Sequence, residues 1–150
     1  MNYKLFHQTT AAIAFLTIVS FLVSTLVSEL IGDHNLIAVV KRTIVYGLSI
    51  LIVCMPLLVV SGRKLAASYP NNPYVGAKAK RMKWIALNAI IFLIPLAVTL
   101  NYLAQNNQLN ISFYSLQALE IICGSVNILL FGKMYTDGRQ INSEVFPLNN

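Results

Sequence analysis

Glu120 is the side chain best placed to do chemistry, because it lies well inside a long apolar run where a carboxylate is costly unless it is paired or protonated. Gln117 precedes it by one helical turn and can hydrogen-bond to it. Lys41 and Arg42 are the candidate cations. Counted at ~1.5 Å per residue they lie nearer the surface than Glu120 by about 10 Å, a gap that long side chains and water can close. Left alone, Glu120 is expected to be neutral near pH 7, and it then serves either as a structural hydrogen-bonding group or as a proton, ion or ligand site. Tyr46, one turn beyond Arg42, belongs to the same candidate set. The two histidines, His7 and His34, stand at opposite ends of the first apolar run and cannot share one metal. His7 alone could be an axial ligand to haem b, with Met82 or Met134 from the same side; the alternative is an ordinary interfacial histidine. No nucleophile is grouped with a base, and no three or four ligands are grouped, so no catalytic residue, metal site or cofactor is predicted.

The elements that must carry these residues are four apolar stretches, 9–28, 43–61, 84–103 and 113–132. Each is long enough to cross a hydrocarbon core of about 30 Å as a helix. The 150-residue chain is 57% hydrophobic and only 11% charged, with a mean hydropathy of +0.67, outside the range of soluble domains. The expected fold is therefore all-α: one integral-membrane, four-helix, up-down bundle. The first stretch exceeds a signal-peptide core and ends in no small-x-small site, so it is read as a retained helix. Cys54 and Cys123 have neither CxxC nor Cys/His spacing and read as small apolar side chains.

Charge orients the bundle. The segment 61–83 carries Arg63, Lys64, Lys78, Lys80, Arg81 and Lys83 with no acid, whereas 32–35 and 104–112 carry neither Lys nor Arg. The positive-inside rule puts the basic loop, and with it both termini, in the cytoplasm. Its cations would hold it against anionic lipid, and Tyr-Pro-Asn-Asn-Pro-Tyr within it reads as turn rather than helix. Lys41 and Arg42 break the bias, and their expected partners are Glu29, Asp33 or a headgroup. Trp84 and Tyr135 mark the inner boundary, and Tyr102, Phe113 and Tyr114 the outer one. The formal charge of +6 sits where topology determinants sit, which argues against nucleic-acid binding.

Polar and small residues form stripes at steps of three and four: Thr10, Ala14, Thr17, Phe21, Ser24 and Ser28 on the first helix, and Arg42, Tyr46, Ser49, Val53, Pro56 and Val60 on the second. Asn88, Pro95 and Thr99 lie on the third, and Gln117, Glu120, Gly124 and Asn127 on the fourth. Such stripes should face a shared interior. Asn88 and Asn127 fall at the same depth and are expected to pair as packing contacts, with Gly124 allowing close approach.

Lys4 and His7 at the start of the first helix, Arg42 opening the second, Ser61-Gly62 ending it and Lys83 entering the third resemble the layout of bacterial membrane-bound protoporphyrinogen oxidases and copper-resistance-D-like proteins. That resemblance covers the first half of the chain and implies porphyrin or haem handling by His7 and Arg42. The whole chain is similar to small four-helix bacterial inner-membrane proteins, which implies no particular function. Three roles are compatible with these residues. One is a non-enzymatic bundle that oligomerises, joins a larger membrane complex or contacts lipid. The second is a haem, porphyrin or quinone protein, and the third a proton-coupled transporter or channel using Glu120.

Overall fold

The computed structural model describes residues 2–68 and 73–145, with side chains to residue 140. Among these residues there is no strand. Four helical spans, Tyr3–Ile31, His34–Ala66, Pro73–Gln105 and Ile111–Gln140, are long and apolar enough to cross a membrane, and only 17–28% of their most apolar windows is buried. Large apolar side chains such as Leu16, Val53, Ile90, Ile122 and Leu129 point outward instead.

Each helix starts and stops for local reasons. In α1 (Tyr3–Ile31) the Asn2 side chain caps the first turn, and Gly32, at φ +71°, closes the last with its N–H bonded to Ser28 O, a left-handed stop that glycine adopts without steric cost. Asp33 then caps Asn35 N at 2.9 Å and opens α2 (His34–Ala66). This two-residue turn makes α1 and α2 antiparallel neighbours. Gly47 lets them close: a Cβ there would lie 2.6 Å from the Phe21 ring. Asn110, which accepts from Phe113 N, begins α5 (Ile111–Val145).

The third span is interrupted. Helix α3 (Pro73–Asn88) passes through a π-helical segment, Ala89–Leu93, into α4 (Ile94–Gln105), and Ile94 N bonds to Ala89 O across five residues. Pro95 has no N–H to return to the preceding turn, and widening that turn accommodates the loss. The inserted residue also rotates α4 relative to α3. Ile85, Leu96, Ala97, Leu100 and Ala104 are buried while Pro95 and Thr99 are exposed, so the expected Asn88-Pro95-Thr99 stripe does not continue past Asn88.

Around the bundle the order is α1, α2, α3/α4, α5, and α5 returns against α1. One end holds the start of α1, the end of α2, the start of α3 and the end of α5; the other holds the two short turns. Near the first end Ala14, Ile18, Leu58, Ile85, Phe131 and Met134 form one core cluster. Near the second, Ile37, Leu96, Leu100, Ala104 and Phe113 form another. Phe113 is thus core, packed edge-on against Tyr114, and only Tyr102 and Tyr114 of the three aromatic markers at that end are exposed.

Three further expectations are corrected. Helices α2 and α3 extend into the basic segment, so Arg63 and Lys64 lie in the last turns of α2, and Lys78, Lys80, Arg81 and Lys83 lie within α3. Of the proline-asparagine turn, Tyr69 to Asn72 lie outside the described residues, while Pro73, Tyr74 and Val75 form the first turn of α3, a position suited to proline. The α2 stripe through Arg42, Tyr46, Ser49, Val53, Pro56 and Val60 is exposed along its length. The inward stripe is Ile37, Lys41, Ile44, Leu48, Leu51, Met55 and Leu58, alternately one and two positions before it.

Candidate functional site

Lys41 is fully buried. It sits seven residues inside α2, which starts at His34, and Glu120 sits nine residues inside α5, which starts at Ile111. The two are therefore almost level, and the expected depth gap vanishes because α2 starts nine residues before the apolar run. Lys41 Nζ lies 2.6 Å from Glu120 Oε2 and 3.3 Å from Thr25 Oγ1 of α1. Gln117 Nε2 donates to the same Glu120 oxygen at 3.1 Å. Glu29 lies on α1 one turn beyond Thr25, and its Oε1 is buried without a hydrogen-bond partner. The pairing meets the demand that a buried charge be compensated.

Arg42, about 100° around α2 from Lys41, is exposed and bonds to the Gln105 side chain. Gln105 Nε2 in turn donates to Ala38 O at 2.7 Å and to Asn101 Oδ1 at 3.2 Å, which fastens α2 to α4. Asp33 serves as a cap, so neither cation takes it as a partner. Tyr46 is 72% exposed on the outer face, and the fold does not bring it to Glu120.

Below the ion pair, toward the end holding the start of α1, is a cavity of about 310 Å³ walled by all four spans. Its lining is apolar except for Thr25, Glu120 and Asn127. Gly124 lines it as well. Asn88 Nδ2 donates to Asn127 Oδ1 and to Cys123 O, both at 2.8 Å, so the two asparagines that share a depth in the sequence meet across α3 and α5. Comparison of the chain with protein-family models, with curated proteins and with solved structures returns no match. What this protein does must be read from this interior.

His7 lies elsewhere, at the end holding the start of α1. Its Nδ1 is 2.8 Å from Ser61 Oγ, and its ring packs on Gly62. The single hydroxyl hydrogen of Ser61 goes to Leu57 O at 2.6 Å, so Nδ1 carries the hydrogen and donates to Ser61. The contact ties α1 to α2 and is not a base aimed at a nucleophile. Among the described residues no three His, Cys, Asp or Glu side chains group as metal ligands. The six cations named from the sequence are not equivalent. Arg63, Lys64, Lys80 and Lys83 are exposed, and Lys64 also bonds the Tyr3 hydroxyl. Arg81 forms an ion pair with the buried Asp137, and Lys78 Nζ lies against Gly138.

Thr25 is the residue at this site that the sequence reading did not single out; Lys41 entered it only as an alternative to Arg42, and Glu29 only as a partner for those two cations. A signal for Lys41 existed: it is the one charged residue in an otherwise apolar repeat from Ile37 to Leu58 at steps of four and three. Following polar residues along α2 selected the opposite face.

Proposed function

We propose that this chain is a multi-pass integral membrane protein that acts without catalysis, by holding a lipophilic molecule within its bundle while its apolar outer face contacts lipid or further copies. The basic residues at one end favour a topology with both termini and the 67–72 connection in the cytoplasm, and the layout resemblance favours a bacterial inner membrane. The observation that carries the reading is the cavity of about 310 Å³ walled by all four spans, apolar but for Thr25, Glu120 and Asn127. Ligand sites are typically of about 300–1,000 Å³, apolar, with few polar groups. Native mass spectrometry of the protein released from detergent micelles tests it. The expected result is a bound lipophile that is lost when Gly124→Leu fills the cavity while helical content is retained; a Gly124→Leu protein that keeps the same adduct would overturn it. A Soret band in the purified protein that vanishes in His7→Ala would replace this reading with the haem one.

A second reading is proton-coupled transport. It is favoured by the buried Lys41–Glu120 pair and by the buried, unpartnered carboxylate oxygen of Glu29, since ionisable groups inside membrane spans mark proton and ion paths. Four helices leave little room for alternating access, so this version needs an oligomer. Its test is Glu120→Gln in a proton-flux assay on proteoliposomes: flux abolished with folding intact supports it, and undiminished flux ends it.

A further inference from the structure

In the half of the bundle that holds the two short turns, α2 packs along α4. In the other half α2 meets α3 only sparsely, and it makes no close approach to the π-helical segment 89–93 among the described residues. The Gln105 Nε2 bond to Ala38 O fixes the depth of one span against the other. Ile90, fifteen residues before Gln105, and Ile52, fourteen after Ala38, are therefore almost level. Both line the central cavity, and both are exposed, by 65% and 60%. Pro56, one turn further toward the basic end, also lines the cavity and is exposed. The cavity thus opens sideways between α2 and α3, in the half nearer the basic end. In a bundle that spans a bilayer, an opening at that depth faces acyl chains rather than water.

Two cations stand at the basic end of this seam. Arg63 lies seven residues beyond Pro56 on α2, and Lys83 seven residues before Ile90 on α3, so each is two turns from a seam residue on the same face of its helix. Both are exposed, and neither has a hydrogen bond or ion pair among the described residues. Their neighbours Lys64 and Arg81 are engaged, by Tyr3 and by Asp137. No acid lies anywhere in the segment 61–83. By helical rise Arg63 stands nearer the basic end than Lys83 by about 6 Å. Side chains tilt toward the N-terminus of their helix, and α2 and α3 run antiparallel, so the two lean toward each other along the seam. Paired cations beside an apolar opening match a molecule with a negative headgroup and a hydrocarbon chain.

Resting on the cavity reading above, we infer that the lipophile held in the bundle is an anionic phospholipid of the leaflet on the basic side, with one acyl chain entering the cavity between α2 and α3 and its phosphate held by Arg63 and Lys83.

Native mass spectrometry of the detergent-purified full chain, titrated with dioleoyl-phosphatidylglycerol, dioleoyl-phosphatidylcholine and dioleoylglycerol, tests this with the acyl chains held constant. The expected result is that phosphatidylglycerol binds about thirtyfold more tightly than either of the others, the worth of two cations near an anionic headgroup. The preference should vanish in Arg63→Gln/Lys83→Gln and persist in Lys80→Gln/Lys133→Gln, which removes the same charge from exposed positions elsewhere. Equal loss in the two double variants overturns the assignment to Arg63 and Lys83. The comparison of lipids and these surface variants stands even if a cavity variant fails to fold. Equal binding of all three lipids, abolished in Gly124→Leu, overturns the anionic headgroup and leaves the cavity reading in place. Phosphatidylglycerol binding that is undiminished in a folded Gly124→Leu protein overturns the acyl chain in the cavity, and the cavity reading with it. Retention of none of the three lipids overturns the inference and leaves the cavity to another lipophile.

Discussion

Lys41 Nζ and Glu120 Oε2 lie 2.6 Å apart and join α2 to α5, the diagonal pair of the four-span square, whose backbones make no close approach among the described residues. A long side chain does here what packing does between adjacent helices. It also closes one end of the central cavity with a charge-compensated pair instead of an apolar plug.

Breaking that pair should cost more than deleting it. Lys41→Met leaves Glu120 buried without its cation, and Glu120→Leu leaves the ammonium of Lys41 without its carboxylate; each is expected to lose about 3–5 kcal/mol. The double variant Lys41→Met/Glu120→Leu should recover most of that loss. Reversible unfolding in mixed micelles measures all three, and single variants within about 1 kcal/mol of wild type would refute the bridge.

The asparagine contact between α3 and α5 predicts a measurable coupling. In a double-mutant cycle, Asn88→Ala and Asn127→Ala should show an interaction energy of about 0.6–2 kcal/mol. Strict additivity of the two losses would mean that the 2.8 Å contact does not hold in solution.

Gly47 and Phe21 test the closeness of α1 and α2. A methyl group at residue 47 would lie 2.6 Å from the Phe21 ring, so Gly47→Ala should destabilise by about 1–3 kcal/mol. Adding Phe21→Leu should relieve part of that loss. A Gly47→Ala protein as stable as wild type would show that the ring moves aside freely.

Membrane topology is open to direct labelling. In a Cys54→Ala/Cys123→Ala background, a cysteine replacing the exposed Asn107 should react with an impermeant maleimide added outside intact cells, while one replacing the exposed Lys80 should react only after permeabilisation. The opposite pattern reverses the orientation, and equal labelling of both in intact cells contradicts the crossing itself.

Four apolar runs separated by short polar segments were legible because composition and length alone decide whether a helix can exist in hydrocarbon, and both are local properties. The Gln117-Glu120-Gly124-Asn127 face of α5 was legible for the same kind of reason, since no irregularity disturbs the period there. Phase could not be read as safely elsewhere. The π-helical turn ahead of Pro95 shifts α4 by a residue, and the inward face of α2 proved to be an apolar repeat carrying one lysine.

By itself, then, the sequence determined that the chain makes four long apolar helices, although α1 runs on to Ile31 and α2 starts at His34, well outside the apolar stretches that announced them. Tertiary structure alone decided that Lys41 rather than Arg42 meets Glu120, and that Thr25 and Gln117 join them. The reason is physical. Helix formation depends on neighbours a few residues away, whereas the partner of a buried polar group sits on another helix, 79 positions along the chain for Lys41 and Glu120, and is selected by rotation and depth that no local pattern encodes.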